Sequence, residues 1–245
     1  KGHSFGNIFL SALEKINGSF SDGLDVASKI LNVRGDVIPV TDSDVSLCME
    51  LKNRKILRGE EEINHDFDIE KIGFKKFYLR PKAKANPRAI KKILEADLIV
   101  IGPGNFYCSI LPNLLVDGVS EAICKSKASV VLNCNLVNKK GQTEKFTLDD
   151  YVDSVNDYLG KKRVDFVTFN DKKPPTNVIK KYSQQCEFLV PFDKEARTKR
   201  PYKVIVDDLL SRKLPRYGKG DALASQRAFI RHNSEKLAQI LMFVL

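Results

Sequence analysis

Asparagines follow two apolar runs of this sequence at the points where each run stops. The run Leu98–Ile101 leads into Gly102-Pro103-Gly104-Asn105, and the run SVVL leads into Asn133-Cys134-Asn135. An amide side chain offers both a hydrogen-bond donor and an acceptor, and glycines let a ligand approach the backbone closely. The pattern therefore predicts a polar ligand-binding rim that includes Gly102, Gly104, Asn105, Asn133 and Asn135. The alternative is that these asparagines only cap the strand ends.

Other polar residues could join the same rim. We expect Tyr107 and Ser109 to return towards it and Asn113 to mark the next bend. Gly6 and Asn7 begin the first predicted helix, where backbone N–H groups could face an anion in a cleft shared with Asn105 and Asn133, or form an ordinary helix start. One basic candidate, Arg34, follows the second predicted helix and either reaches the cleft or caps that helix.

The sequence lacks the residue patterns that hydrolase triads and metal sites require. The three histidines (His3, His65 and His232) are dispersed, and no Gly-x-Ser-x-Gly or Cys-x-x-Cys motif is present, so we expect neither a hydrolase triad nor a metal site. Five cysteines, an odd number, are typical of reduced thiols, and we expect a cytoplasmic protein. No apolar run approaches the ~20 residues that span a bilayer.

The chain is basic, with 41 Lys and Arg against 31 Asp and Glu and a net charge of +10. This balance suits a phosphate-bearing small molecule. The densest basic stretch, Lys71–Lys92, is typical of a solvated strand edge, and no aromatic or helix-turn-helix pattern accompanies it. We therefore expect a small phosphate-bearing ligand and no nucleic acid, and the sequence leaves homo-oligomer formation open.

The predicted elements that position the rim alternate between strand and helix from Asn86 onwards. Apolar runs at Leu98–Ile101, Val130–Cys134 and Phe166–Phe169 favour a mainly parallel sheet, with short strands near Phe188–Val190 and Val204–Val206. Helices are predicted over 3–16, 22–31, 87–96, 119–124, 147–159 and 234–245. In open parallel sheets, ligands bind beyond the carboxyl ends of the strands, which is where the asparagines fall.

Residues 36–80 have the pattern of short β-strands and not the alternation of strands and helices. The segments DVIPVT, VSLCMEL, KILRGEEEI and KKFYLRP predict a small antiparallel β excursion, with a tight turn at Asn53-Arg54. The fold class is therefore α/β, in one domain over residues 1–245.

Five stretches occur in the order of a known family: GHSFGNIFLSAL, LNVRGDVIPVT, LIVIGPGNFYCSILPNLLVDGVSEAI, LNCNLVNKKGQTEKFTLDDYV and IRHNSEKLAQIL. The chain resembles the gluconeogenesis factor proteins, which share a superfamily with the 2-phospho-L-lactate transferases of coenzyme F420 synthesis. The resemblance implies a three-layer α/β/α sandwich with a Rossmann-like sheet. It also implies that the family's N-terminal strand and glycine-rich phosphate loop lie outside this chain. A basic loop at 213–227 is longer than usual for the family.

In the gluconeogenesis factor branch, the resemblance implies binding of a UDP-sugar such as UDP-N-acetylglucosamine, or of a dinucleotide, and a role in cell shape and carbon metabolism. The branch's nucleotide-contacting tyrosine and arginine fall on Tyr182 and Arg231. The ring could stack on a base and the guanidinium could pair with a diphosphate, or they could be a half-buried helix-end tyrosine and a helix-terminus ion pair. In the other branch, the resemblance implies a phosphotransferase with a nucleotide diphosphate donor, a deazaflavin acceptor and Mg²⁺.

Overall fold

A computed structural model of the protein describes residues 4–196, 199–213 and 228–245. It has α/β architecture, as predicted, with a four-stranded parallel sheet and a three-stranded antiparallel sheet. The strands are β1 (Ser46–Leu51), β2 (Ile56–Arg58), β3 (Phe74–Arg80), β4 (Leu98–Ile101), β5 (Ser129–Asn133), β6 (Phe166–Asn170) and β7 (Lys203–Asp207). The helices are α1 (Phe5–Asn17), α2 (Phe20–Ile30), α3 (Gly59–His65), α4 (Ile69–Ile72), α5 (Pro87–Glu95), α6 (Leu111–Leu114), α7 (Val119–Lys125), α8 (Leu148–Leu159), α9 (Thr176–Gln184) and α10 (Ser234–Val244).

Local sequence signals set the ends of several helices. The Thr147 hydroxyl and the Asp150 carboxylate form a reciprocal capping box at the start of α8, and Gly160 ends that helix in the left-handed conformation. Asn86 caps α5 and Pro87 occupies its first turn. These boundaries confirm the predicted starts and stops within a few residues.

The parallel sheet has the order β4-β5-β6-β7, with every neighbouring pair parallel. The loops that follow its strands therefore all leave from one edge. Gly102 to Asn105 leaves the sheet immediately after β4, as predicted. Among the residues that the structure describes, β4 pairs only with β5 and is therefore an end strand of this sheet.

The excursion is a sheet of order β2-β1-β3, all antiparallel, with α3 and α4 between β2 and β3. Two details differ from the prediction. Residues 36–41 form no strand; the Val40 carbonyl instead accepts from the Asn86 N–H. The segment GEEEI is the first part of α3, where three glutamates complement the positive end of the helix dipole.

One hydrophobic core runs through both sheets, from Leu47 and Met49 of β1 to Val130 and Val167 of β5 and β6. A smaller cluster joins Val178 and Tyr182 of α9 to Ile230. Among the described residues, 188–190 make a single antiparallel bridge, Val137 to Leu189, and do not form a strand of the parallel sheet. In the described ranges, no helix is both long and apolar enough to cross a membrane.

Candidate functional site

A cavity of about 980 Å³ opens at the carboxyl edge of the parallel sheet. Five stretches of chain line it: the end of α3, the turn after β4, the loop after β5, α9 with the residues after it, and the segment before α10. The lining residues are Asn64, His65, Phe67, Pro103, Gly104, Asn105, Phe106, Asn135, Leu136, Val137, Asn138, Lys139, Lys140, Gln142, Thr143, Tyr182, Gln185, Glu187, Ala228, Ile230, Arg231 and His232. Amide and basic side chains are numerous among them, so the wall can donate hydrogen bonds to a ligand at many points.

The turn after β4 is tied to the turn after β5 by one asparagine. The Asn135 side chain accepts from the Gly104 N–H at 3.2 Å and donates to the Gly104 carbonyl at 2.9 Å. Asn105 caps a π-helical turn over Phe106–Ile110 by accepting from the Cys108 N–H, and its Nδ2 donates to Asn64 Oδ1 at 2.8 Å. The turns after β4 and β5 therefore form one polar rim, in which Asn135 is the residue contributed by the turn after β5.

The excursion supplies the facing wall through α3. Asn64 Oδ1 accepts from Lys139 Nζ at 2.5 Å as well as from Asn105. Buried Gln142 donates to the Ile63 carbonyl at 2.7 Å, which attaches the loop after β5 to the same helix. Hydrogen bonds thus connect α3 both to the turn after β4 and to the loop after β5.

Burial changes the ionisation of three groups in the lining. It lowers the pKa of Lys139 and of His232 and raises the pKa of Glu187, because each charged form loses water. Lys139 and Glu187 also attract each other, which opposes both of their shifts. Two further cations, Lys140 and Arg231, line the cavity, so its charge suits an anionic ligand.

Five of the predicted site residues meet in this cavity: Gly104, Asn105, Asn135, Tyr182 and Arg231. Tyr182 is only 4% exposed, and its hydroxyl accepts from the N–H groups of Phe229 and Ile230 at 2.8 and 3.1 Å. Its ring packs edge-on against Phe229. This environment is that of a structural helix-end tyrosine, and stacking on a base stays a prediction.

Two predicted rim residues are buried elsewhere. Tyr107 is 5% exposed and packs edge-on against Phe74 and Phe77, so the expectation that it returns to the rim is wrong. Asn133 is buried within the sheet, where its Oδ1 accepts from the Thr168 hydroxyl at 2.9 Å. Asn105 therefore shares the cleft with Asn135 and not with Asn133.

The remaining candidates lie outside the lining. Asn113 donates to the carbonyls of Ser109 and Ile110, an interaction within its own helical segment. Gly6 and Asn7 are exposed on α1. The Asn7 N–H donates to the side chain of the N-cap residue Ser4, as in an ordinary helix start. The cleft that they were expected to share with Asn105 and Asn133 is not formed by the described residues. Two further candidates, Gly102 and Arg34, are also exposed. Of the basic loop at 213–227, all but Lys213 lies outside the described residues.

Sequence motifs alone did not predict the residues that complete the wall, chiefly Asn64, Lys139, Gln142, Glu187 and His232. Lys139 and Gln142 belong to the stretch NKKGQT, and His232 follows Arg231 directly. These residues lie within stretches that carry the family resemblance, and that position could have identified them as site candidates. Asn64 gave none, because it directly follows KILRGEEEI, a segment that was interpreted as a strand.

The sequence comparisons place these features in a family. A family model described as 2-phospho-L-lactate transferase CofD matches residues 1–210. A putative gluconeogenesis factor of Aquifex aeolicus is 37% identical, over 100% of this chain and 71% of that protein. One of Nostoc is 35% identical, over 98% of this chain and 50% of the relative, and the gluconeogenesis factor of Bacillus subtilis is 34% identical, over 100% and 72%.

A structural comparison agrees with them. The crystal structure of a UPF0052 family protein from Bacillus halodurans superposes with a TM-score of 0.84 at 31% identity, over 99% of this chain and 73% of that one. Sequence and fold thus lead to the same group, and the chain belongs to the CofD family, with gluconeogenesis factors as its relatives.

Proposed function

We propose that the cavity binds a nucleotide-sugar of the UDP-N-acetylglucosamine type. The protein would then act as a ligand-responsive regulator. The names of the gluconeogenesis factor relatives suggest a role in carbon metabolism, and the family resemblance implies a role in cell shape. The observation that carries the proposal is the composition of the cavity wall. Lys139, Lys140 and Arg231 can attract a diphosphate, while amides such as Asn64 and Gln185 can bind sugar and base groups. A dinucleotide offers the same chemistry and is the second ligand to try.

The size of the cavity fits such a ligand. Small-molecule sites typically enclose about 300–1,000 Å³, and this one has about 980 Å³. It also lies where ligands bind in open parallel sheets, beyond the carboxyl ends of the strands.

Ligand class can be tested by thermal unfolding of the full-length protein. UDP-N-acetylglucosamine at about 100 times its dissociation constant should raise the melting temperature by roughly 5–10 °C, from a binding linkage of ~2.7 kcal/mol. No shift with millimolar UDP-sugar alongside a shift with GDP would favour the transferase instead. No shift with UDP-sugars, dinucleotides or GDP would overturn the proposal that the cavity binds nucleotides.

Lys139 provides a second test. Exchange of this lysine for methionine keeps the length of the side chain but removes a partly buried cation that an anionic ligand would pair with. A charge-assisted hydrogen bond contributes ~1.5–3 kcal/mol, so we expect UDP-sugar affinity to fall about tenfold or more in calorimetric titration. The exposed Lys145 offers a matched control, since Lys145→Met removes the same charge outside the cavity. Equal affinities of the two variants would contradict a role for Lys139 in binding.

The second candidate function is phosphotransfer, and the family model favours it by its description. A transferase of this type would move a phospholactyl-type group from a nucleotide diphosphate donor to the hydroxyl of a deazaflavin acceptor, with Mg²⁺ as cofactor. The diphosphate linkage breaks and the nucleoside monophosphate is the leaving group. Formation of the phosphodiester product by the full-length protein, detected by mass spectrometry, would support it.

A further inference from the structure

Backbone hydrogen bonds on both sides hold Glu187 in the wall of the cavity. Glu187 follows α9, and its N–H donates to the Tyr182 carbonyl at 3.0 Å. The next residue, Phe188, is attached to the loop after β5, because its carbonyl accepts from the Asn138 N–H at 2.8 Å. The Glu187 side chain therefore starts from a defined point of the wall.

The same backbone contacts place Glu187 opposite a lysine. Leu189 bridges antiparallel to Val137, and in the register of this bridge Lys139 faces Glu187. Residues that face each other across antiparallel strands have Cβ atoms about 4.5–5.5 Å apart on one face, where opposite charges usually pair. Lys139 Nζ instead donates to Asn64 Oδ1 at 2.5 Å.

The Glu187 carboxylate is consequently left with its full capacity to accept. In the part of the chain that the structure describes, it has neither an ion pair nor a hydrogen bond. The residue is partly buried and lines the cavity, so a ligand can reach the carboxylate. Among the described lining residues it is also the single carboxylate.

A carboxylate in a cationic wall discriminates between parts of a ligand. The cations Lys139, Lys140 and Arg231 favour the ionised form of Glu187, which accepts hydrogen bonds but donates none. Phosphate oxygens are acceptors too, so Glu187 repels them. A hydroxyl or N–H group donates to the carboxylate and replaces the water that the carboxylate loses when the ligand binds.

We propose that Glu187 is a specificity-determining residue of this cavity, whose carboxylate accepts hydrogen bonds from hydroxyl or N–H groups of the bound nucleotide-sugar. The inference rests on the function proposed above and adds to it a contact that selects against plain phosphates. Sugars flank the diphosphate of such a ligand on both sides. A carboxylate opposite Lys139 can therefore meet a donor while Lys139 pairs with phosphate.

Glu187→Gln tests the contact, because it keeps the size of the side chain and removes the charge. Charge-assisted hydrogen bonds are stronger than neutral ones, so we expect calorimetric titration to show about fivefold weaker binding of UDP-N-acetylglucosamine. Inorganic pyrophosphate, which brings no donor, should bind as well as before or more tightly. Glu14 is exposed on α1 and outside the lining, so Glu14→Gln is the matched control and should change neither affinity.

The signs of the two changes decide the outcome. Tighter or unchanged binding of UDP-N-acetylglucosamine by Glu187→Gln would overturn the inference, because the carboxylate would then only repel the diphosphate. Equal weakening of both ligands, or a lower melting temperature of the ligand-free variant, would overturn it in favour of a structural role.

UDP locates the donor on the ligand. Weaker binding of UDP by Glu187→Gln assigns the donor to the nucleoside, and binding of UDP that is not weakened assigns it to the N-acetylglucosamine. Failure of the wild type to bind either nucleotide would overturn the proposed function, and this inference with it.

Discussion

Replacement of Gly141 by alanine is expected to lower the free energy of unfolding by about 3–5 kcal/mol. Gly141 has a φ of +67°, in the left-handed region, and an added Cβ would overlap the backbone carbonyl group of Phe67. The backbone cannot easily yield, since the Gly141 carbonyl accepts from the Glu70 N–H at 2.8 Å. Chemical denaturation measures the loss. Because Phe67, Lys140 and Gln142 line the cavity, ligand affinity should fall with it.

Gly160 provides the matched control for this substitution. Its φ of +70° is nearly the same, but no atom lies within 4 Å of the position of an added Cβ. Gly160→Ala should therefore cost only the backbone strain, about 1 kcal/mol. If both substitutions cost the same, close packing of Gly141 against Phe67 is not what makes the glycine necessary.

The second large effect is expected from Asp149→Ala. Asp149 is buried on α8, and its two carboxylate oxygens accept from Nε and a terminal nitrogen of Arg200, each at 2.7 Å. The Tyr202 hydroxyl donates to the same carboxylate. Removal of one partner from a buried ion pair typically costs ~3–5 kcal/mol, because the other charge stays out of water, and we expect about 3 kcal/mol here.

The exposed pair of Glu121 and Lys125 serves as the comparison. Its charged atoms are 2.6 Å apart, but both side chains are 67% exposed and solvent screens their attraction, so Glu121→Ala should change stability far less than Asp149→Ala. Denaturant titrations of the two variants under one set of conditions give both values. A cost for Asp149→Ala no larger than that for Glu121→Ala would show that burial does not strengthen the pair with Arg200.

Much of the architecture was accessible from local sequence signals. Pro103 follows the apolar run of β4, and proline cannot donate to a sheet, so the end of that strand was fixed. Thr147 and Gly160 marked α8 because capping chemistry acts within a few residues. Alternation of apolar strands with helices indicated a parallel sheet, and the structure confirms the parallel pairing.

The site itself depended on contacts that local sequence does not specify. Asn133 and Asn135 are nearly adjacent and chemically identical, yet one bonds to Thr168 inside the sheet and the other to Gly104 at the rim. Tyr107 has a polar tip, but its ring packs against Phe74 and Phe77, which lie about 30 residues earlier in the chain. Such choices depend on tertiary packing, which overrides the polarity of a single side chain.

The wall of the cavity also has a consequence for the order of events during synthesis. Asn64 and His232 are far apart in the sequence, and both line the cavity. The cavity wall is therefore incomplete until both residues have been synthesised. A ribosome adds roughly 5–20 residues per second and releases the N-terminal part first. The growing chain can therefore form the excursion and β4–β6 well before the segment that carries Arg231 and His232 has emerged. A ligand of this cavity would consequently stabilise only molecules whose translation has passed His232.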